Sequence, residues 1–187
     1  LNYHSGVMIT GSHNPADQNG LKIVMNQETI AAGGIAEIRD RVIKGSFSEG
    51  KGMLTSEEVI PAYVDEVLHD IAISIPLRIV VDAGNGATSD IAPALLEELG
   101  CEVIPLNCVV DGSFPGHPPD TSNEDNLAQL AEKVVDVRAD FGVAFDGDGD
   151  RLAVVTGSGR IIRSDVLLML YAQDVVSRNP GADVVFD

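Results

Sequence analysis

Between residues 77 and 156 apolar runs alternate with helical periodicities, and this rhythm limits the possible folds more than any other feature of the chain. Residues 77–81 make a β-branched run of strand length, residues 90–99 read as a helix closed by Gly100, and residues 101–106 as a second strand. Leu127, Leu130, Val134 and Val137 repeat at helical spacing over residues 123–138. A third strand is expected at 141–145 and a returning one at 152–156. Such alternation specifies an α/β fold with a mixed or largely parallel sheet flanked by helices. Ligands of these sheets bind beyond the carboxyl ends of the strands. The segment after Phe145 therefore falls where chemistry is expected.

That segment is Asp146-Gly147-Asp148-Gly149-Asp150-Arg151. Three carboxylates this close ionise together cheaply only around a cation. On a straight strand Asp146 and Asp150 would stand about 13 Å apart, at ~3.3 Å per residue. Hard divalent cations take oxygen ligands at only ~2.0–2.6 Å. The backbone must curl, and Gly147 and Gly149 permit the φ > 0 conformations that a curl needs. Asp146, Asp148 and Asp150 are thus candidate metal ligands. An EF-hand calcium loop needs Gly at its sixth position and Glu at its twelfth; Arg151 and Gly157 stand there instead. A solvated acidic turn is the bland alternative, and the strict alternation with glycine and the adjoining arginine speak against it.

Near the start, residues 6–10 read as a short buried strand, followed by Gly11-Ser12-His13-Asn14-Pro15. Asn19-Gly20 signals a turn into a second strand, residues 21–25, which carries Lys22. The connection is long for two adjacent strands, which favours function over simple reversal. Pro15 biases Asn14 to an extended conformation, leaving Ser12 as an exposed hydroxyl beside Gly11, where a partner can approach closely. Ser12 with His13 suggests an activated nucleophile, although a serine needs a base held within reach. A polar loop shaped by Asn and Pro, and a solvent-facing Lys22, are the structural alternatives.

Residues 28–44 carry helical spacing through Ile30, Ile35, Ile38 and Val42, and residues 45–56 resemble a linker. A helix starting at Ser56 is expected over 56–72 through Val59, Tyr63, Val67 and Ile71. The Asp82-Ala83-Gly84-Asn85-Gly86-Ala87 turn lacks a third glycine and a P-loop lysine, so it reads as structural. His117, in a Pro-rich loop without visible ligand partners, also reads as structural. Residues 164–176 form an apolar-rich helix, and Asn179-Pro180-Gly181 turns toward a strand at 184–186. These signals divide the chain into residues 1–55, the later part of a first domain; 56–159, a second domain holding the acidic loop; and 160–187, the start of a third.

Twelve Lys and Arg against 29 Asp and Glu give a net charge of −17, a field that repels nucleic acid and anionic membrane. Four percent aromatic residues and no Trp argue against base-stacking platforms. Cys101 and Cys108 form neither a ligand cluster nor a disulfide framework; they read as small buried apolar residues, which fits a reducing cytoplasm. No apolar run approaches the ~18 residues of a membrane span. The chain opens Leu1-Asn2-Tyr3 and ends just after Val184-Val185-Phe186, so both ends are expected to be cut through folded protein.

A serine on a constrained loop, a nearby lysine, an acidic metal loop and an arginine are together the parts of phosphoryl transfer through a phosphoserine, which relies on positioning and charge neutralisation. Residues 6–15, Asn19-Gly20-Leu21-Lys22 and Asp146–Arg151 resemble, in the same order, the signatures of the α-D-phosphohexomutases, and the resemblance extends over essentially the whole chain. Gly11 is a departure, since many members of that family carry Ala there. The resemblance implies part of a four-domain cytoplasmic enzyme, with a monomer favoured. It implies a phosphoryl group on Ser12, and Mg²⁺ held by Asp146, Asp148, Asp150 and a phosphate oxygen on Ser12. It further implies Arg151 against the reacting phosphate, and His13 and Lys22 in proton transfer and phosphate contact. Hexose 6-phosphate and hexose 1-phosphate, of mannose or glucose, would interconvert through a hexose 1,6-bisphosphate. Residues 1–187 alone are expected to bind metal weakly without turnover. The competing readings are a haloacid-dehalogenase-like phosphatase with Asp146 as nucleophile, and a non-catalytic metal-binding module on a mutase scaffold.

Overall fold

A computed structural model describes residues 3–185. Two sheets organise it. The first is a small antiparallel sheet of β1 (Gly6–Ile9), β2 (Leu21–Met25) and β3 (Glu28–Thr29), in that order. Met8 faces Lys22 and Ile9 faces Leu21 across the β1–β2 pair, so the two strands are joined by the serine-bearing loop. Glu28 and Thr29, expected at the head of a helix, instead pair with Met25 and Val24. The helix, α1 (Ala32–Lys44), begins beyond them. It ends at Gly45, whose left-handed conformation lets the Ser46 N–H close on the Arg41 carbonyl.

β1 is not the buried strand that its apolar run suggested. Val7 and Met8, on opposite faces, are 60% and 63% exposed. A sheet buries its faces only against another layer, and no described residue before Ile79 is buried. Residues 46–59 have no regular structure. α2 (Ile60–Asp70) starts four residues after the expected Ser56, with Pro61 in its first turn, where a missing N–H costs nothing.

The second sheet holds the core. β4 (Arg78–Asp82), β5 (Glu102–Leu106) and β6 (Phe141–Phe145) run parallel; β7 (Leu152–Thr156) and β8 (Ile161–Ile162) return antiparallel, in the order β5-β4-β6-β7-β8. The two-residue β8, hidden behind a Gly-Ser-Gly turn, left no strand-length signal in the sequence. α3 (Ile91–Glu98) and α4 (Ala128–Asp136), the latter preceded by a 3-10 turn at Glu124–Leu127, cover the two faces. Val80, Ala144 and Val155 pack with Leu130 and Val134 on one face; Ile79, Val81 and Val143 pack with Ala92 and Cys101 on the other. β4 is an interior strand, and Ile79, Val80 and Val81, buried on both faces, are apolar without alternation between Arg78 and Asp82.

Gly142 lets α4 lie directly on β6: a Cβ there would stand 2.5 Å from Val134 Cγ2 and 2.7 Å from Leu130 Cδ1. Gly142→Ala is therefore expected to destabilise this domain by about 1–3 kcal/mol, read as a lower urea midpoint at unchanged slope. α5 (Ser164–Arg178) closes the described chain without a buried residue. Residues 184 and 185 are not in a strand, and the remainder of that expected strand lies outside the described residues. Among the described residues no helix is long and apolar enough to cross a membrane.

Candidate active site

β1 delivers Thr10 and Ser12 to one end of the small sheet, and β6 delivers the acidic loop to the carboxyl edge of the large one. The two loops meet. The Ser12 hydroxyl donates to Asp146 Oδ2 at 3.0 Å, and the Thr10 hydroxyl donates to Asp148 Oδ2 at 2.7 Å. Thr10 also accepts the Ser12 N–H at 2.9 Å, fixing Ser12 in the left-handed region at φ 51°. Asx and glycine excepted, few residues sit there without support from their surroundings. His13 Nδ1 lies 3.4 Å from the Ser12 hydroxyl oxygen. Lys22 reaches across to Asp148 and Asp150 at 3.5 and 3.4 Å, and Arg151 Nε lies 3.9 Å from Asp150. Every site residue expected from the sequence is thus in one cluster.

The acidic loop curls as its spacing required, though its two glycines do different work. Gly149 adopts φ 76°. Gly147 does not have a positive φ; it is glycine because a Cβ would collide with the Ser12 carbonyl oxygen, so the two lobes touch backbone to backbone. Gly11 is similarly tight: a Cβ there would stand 2.8 Å from the Gln18 carbonyl oxygen, so Ala would require that loop to shift. The turn at 82–87 packs against the acidic loop, its Ala87 N–H donating to the Gly147 carbonyl at 3.0 Å.

Oxygen atoms of Asp146, Asp148 and Asp150 gather within 4.8 Å of one another. Asp146 is fully buried, and Asp148 Oδ1 is buried without a hydrogen-bond partner. An orphaned buried oxygen facing two further carboxylates suits a hard divalent cation. Burial pushes the Asp146 carboxyl up, against the Arg151 N–H and the Ser12 hydroxyl. Asp148 pays for burial too, but the Thr10 hydroxyl and the Lys22 ammonium bring its pKa below the usual range. Lys22 is raised, first by its hydrogen bond to Asp150 and then by the charges of Asp148 and Asp150, so it is held as an ammonium and not as a free base.

Sequence reasoning missed Thr10, whose only signal was a hydroxyl two residues before Ser12, and Asp120, which shares a cavity of about 360 Å³ with His13 and Asn14. His117, which the sequence left without a partner, has one: its Nε2 lies 3.0 Å from Oδ2 of the buried Asp82, and its Nδ1 2.8 Å from the Pro118 carbonyl. Both ring nitrogens face acceptors, so the imidazolium makes two bonds where the neutral ring makes one. The hydrogen bond to Asp82 raises the His117 pKa against the cost of burial. A raised folded-state value gives stability that is full below the unfolded value of about 6.5 and lost as pH rises through the folded one. The thermal-midpoint gap between the wild type and His117→Asn is expected to be widest below about pH 6.5 and to narrow above it.

The family description "Phosphoglucomutase/phosphomannomutase, alpha/beta/alpha domain II" matches residues 61–159, and that of domain I matches residues 1–49. A phosphomannomutase/phosphoglucomutase of Pseudomonas aeruginosa is 54% identical over 98% of the chain and 40% of its own length. A phosphoglucomutase of Neisseria gonorrhoeae is 46% identical, with the same shares covered. The crystal structure of a phosphoglucomutase/phosphomannomutase family protein from Burkholderia thailandensis superposes with a TM-score of 0.90 at 44% identity, covering 95% of this chain and 39% of that one. The chain thus spans about 40% of the length of the curated relatives it matches.

Proposed function

Because the chain belongs to the phosphoglucomutase/phosphomannomutase family of α-D-phosphohexomutases, we propose that the complete protein interconverts hexose 6-phosphate and hexose 1-phosphate through a phosphoserine at Ser12. The observation that carries this reading is the Ser12 hydroxyl on Asp146 at 3.0 Å, beside three acids gathered within 4.8 Å. Asp146, Asp148, Asp150 and a phosphate oxygen on Ser12 would hold a divalent cation, Mg²⁺ by resemblance. Bound there, it supplies Lewis-acid neutralisation of the phosphoryl charge.

The chain's own residues do the remaining work. A sugar hydroxyl attacks phosphorus, the P–O bond to Ser12 breaks as the new one forms, and the sugar is left as a 1,6-bisphosphate. The sugar hydroxyl loses a proton and the serine oxygen gains one. Asp146 accepts the serine proton at 3.0 Å but would be taken up with the cation, which leaves His13, with Nδ1 at 3.4 Å from that oxygen, within reach to exchange it. The Lys22 ammonium and the Arg151 guanidinium balance the equatorial oxygens of the transferring group. The bisphosphate then reorients and returns its other phosphate to Ser12. The setting is a cytoplasmic enzyme of carbohydrate metabolism acting on mannose or glucose phosphates.

The phosphatase reading loses its support. Asp146 is fully buried with Oδ2 turned to the Ser12 hydroxyl, and the family matched is that of the mutases. Intact-protein mass spectrometry of the complete protein tests the proposal. A phosphate is expected on Ser12, discharged on mixing with hexose phosphate. Its absence under every charging condition would leave the non-catalytic module in its place.

A further inference from the structure

Beneath the acidic loop lies a second, buried ionic arrangement that the reaction as described does not use. Asp82 ends β4, is fully buried, and receives three donors: the Gly84 N–H at 3.0 Å, the Asn107 amide at 3.1 Å and His117 Nε2 at 3.0 Å. His117 belongs to the loop between β5 and the 3-10 turn, and its side chain is only 10% exposed. Two residues on, Pro119 is fully buried in the angle between two glycines: a Cβ on Gly84 would stand 3.6 Å from Pro119 Cα, and one on Gly147 would stand 3.6 Å from Pro119 Cβ. Gly147 is the residue against which the Ser12 carbonyl rests. Pro119 therefore sits beside both glycines, between the buried pair and the point where the serine loop meets the acidic loop.

We propose that the Asp82–His117 pair is a positioning device for the metal and phosphoserine geometry, acting by clamping the 117–120 loop so that Pro119 supports Gly147 from below. Neither residue touches the reacting atoms. Asn85 secures the other limb of the same loop, taking the Gly116 N–H on Oδ1 and donating Nδ2 to the Val109 carbonyl. The Asn126 amide holds the loop's far end through the Asp120 carbonyl. The loop is thus fastened at both ends, with the Asp82–His117 pair fastening it two residues before Pro119. Supporting groups of this kind are worth about 10- to 100-fold in metal affinity or activity.

The proposal rests on the functional reading above for what the metal loop does, but its test does not depend on turnover. Calorimetric titration with Mn²⁺ of the complete protein compares the wild type, His117→Phe and His117→Gln; Gln retains a donor toward Asp82. His117→Phe is expected to weaken Mn²⁺ binding about tenfold, with Gln recovering most of the loss. In the mutase assay kcat should fall and the Mg²⁺ requirement rise, with KM for hexose phosphate unchanged. Pro119→Gly, which keeps both side chains of the buried pair while removing the ring beside Gly147 and freeing the backbone there, should reproduce the metal defect; it also serves if the Phe variant fails to fold. Mn²⁺ binding unchanged in both Phe and Pro119→Gly variants overturns the proposal. So does a loss that follows the thermal midpoint alone, with Gln no better than Phe. A wild type that binds Mn²⁺ but transfers no phosphoryl group would overturn the functional reading, while the Mn²⁺ comparison would still decide the clamp.

Discussion

Ser12→Ala in the complete protein is expected to reduce hexose phosphate interconversion about a thousandfold or more while leaving the fold unchanged. Side chain and backbone at Ser12 serve different ends. Ser12 is held through main-chain groups: its N–H donates to the Thr10 hydroxyl, and its carbonyl oxygen abuts Gly147. Alanine keeps both contacts and removes only the oxygen that would carry the phosphoryl group. The thermal midpoint should therefore move little, as for substitutions away from the core, and kcat should collapse at every Mg²⁺ concentration. Steady-state assays with hexose 1,6-bisphosphate present would measure this. Surviving turnover in the alanine variant would return the nucleophile's role to Asp146 and end the mutase reading of this site.

Asp148→Asn should have the second largest effect, about a hundredfold in phosphoryl transfer, partly recovered as Mg²⁺ is raised. Asp148 is the acid with the most to do. One oxygen accepts from Thr10 and Lys22, tying the two lobes together, and the other is buried without a partner. An amide offers one oxygen for both tasks and points an N–H₂ group at either a donor or the metal. It also removes one of the charges that hold Lys22 as an ammonium. Rate against Mg²⁺ concentration distinguishes this from Ser12→Ala, since a charge deficit responds to metal and a missing phosphate acceptor does not. Mg²⁺-dependent transfer left intact by Asp148→Asn would remove the acidic loop from the mechanism.

Much of the second sheet was legible because both its strands and its helices write their burial into the sequence. The apolar run ending at Asp82 and the spacing of Leu127, Leu130 and Val134 leave little choice. The first sheet misled in one respect. β1 carries a core-like sequence, yet Val7, Met8 and Ile9 are exposed, because sequence records what a strand is suited to pack against and not whether that layer is present. The gathering of Ser12, Asp146, Asp148 and Asp150 could be foreseen because their residue types and spacing imply chemistry. Thr10 and the Asp82–His117 pair could not, because their roles depend on partners far along the chain, with 138 positions between Thr10 and Asp148 and 35 between Asp82 and His117. Glycine was legible as a need for freedom; that Gly147 answers a need for space shows only in three dimensions.

The meeting of Ser12 with Asp146 joins residues 134 positions apart. Closing so long a loop costs about 2 kcal/mol more than closing one of ten residues, and the cost falls due before any contact repays it. Such late, non-local contacts are slow to form. The large sheet has its own buried core around β4, whereas the serine loop holds its bend through the local Ser12 N–H to Thr10 bond and through docking against Gly147 and Asp148. The junction on which the proposed phosphoryl transfer depends is then expected to form late in folding and to be lost whenever the two lobes part.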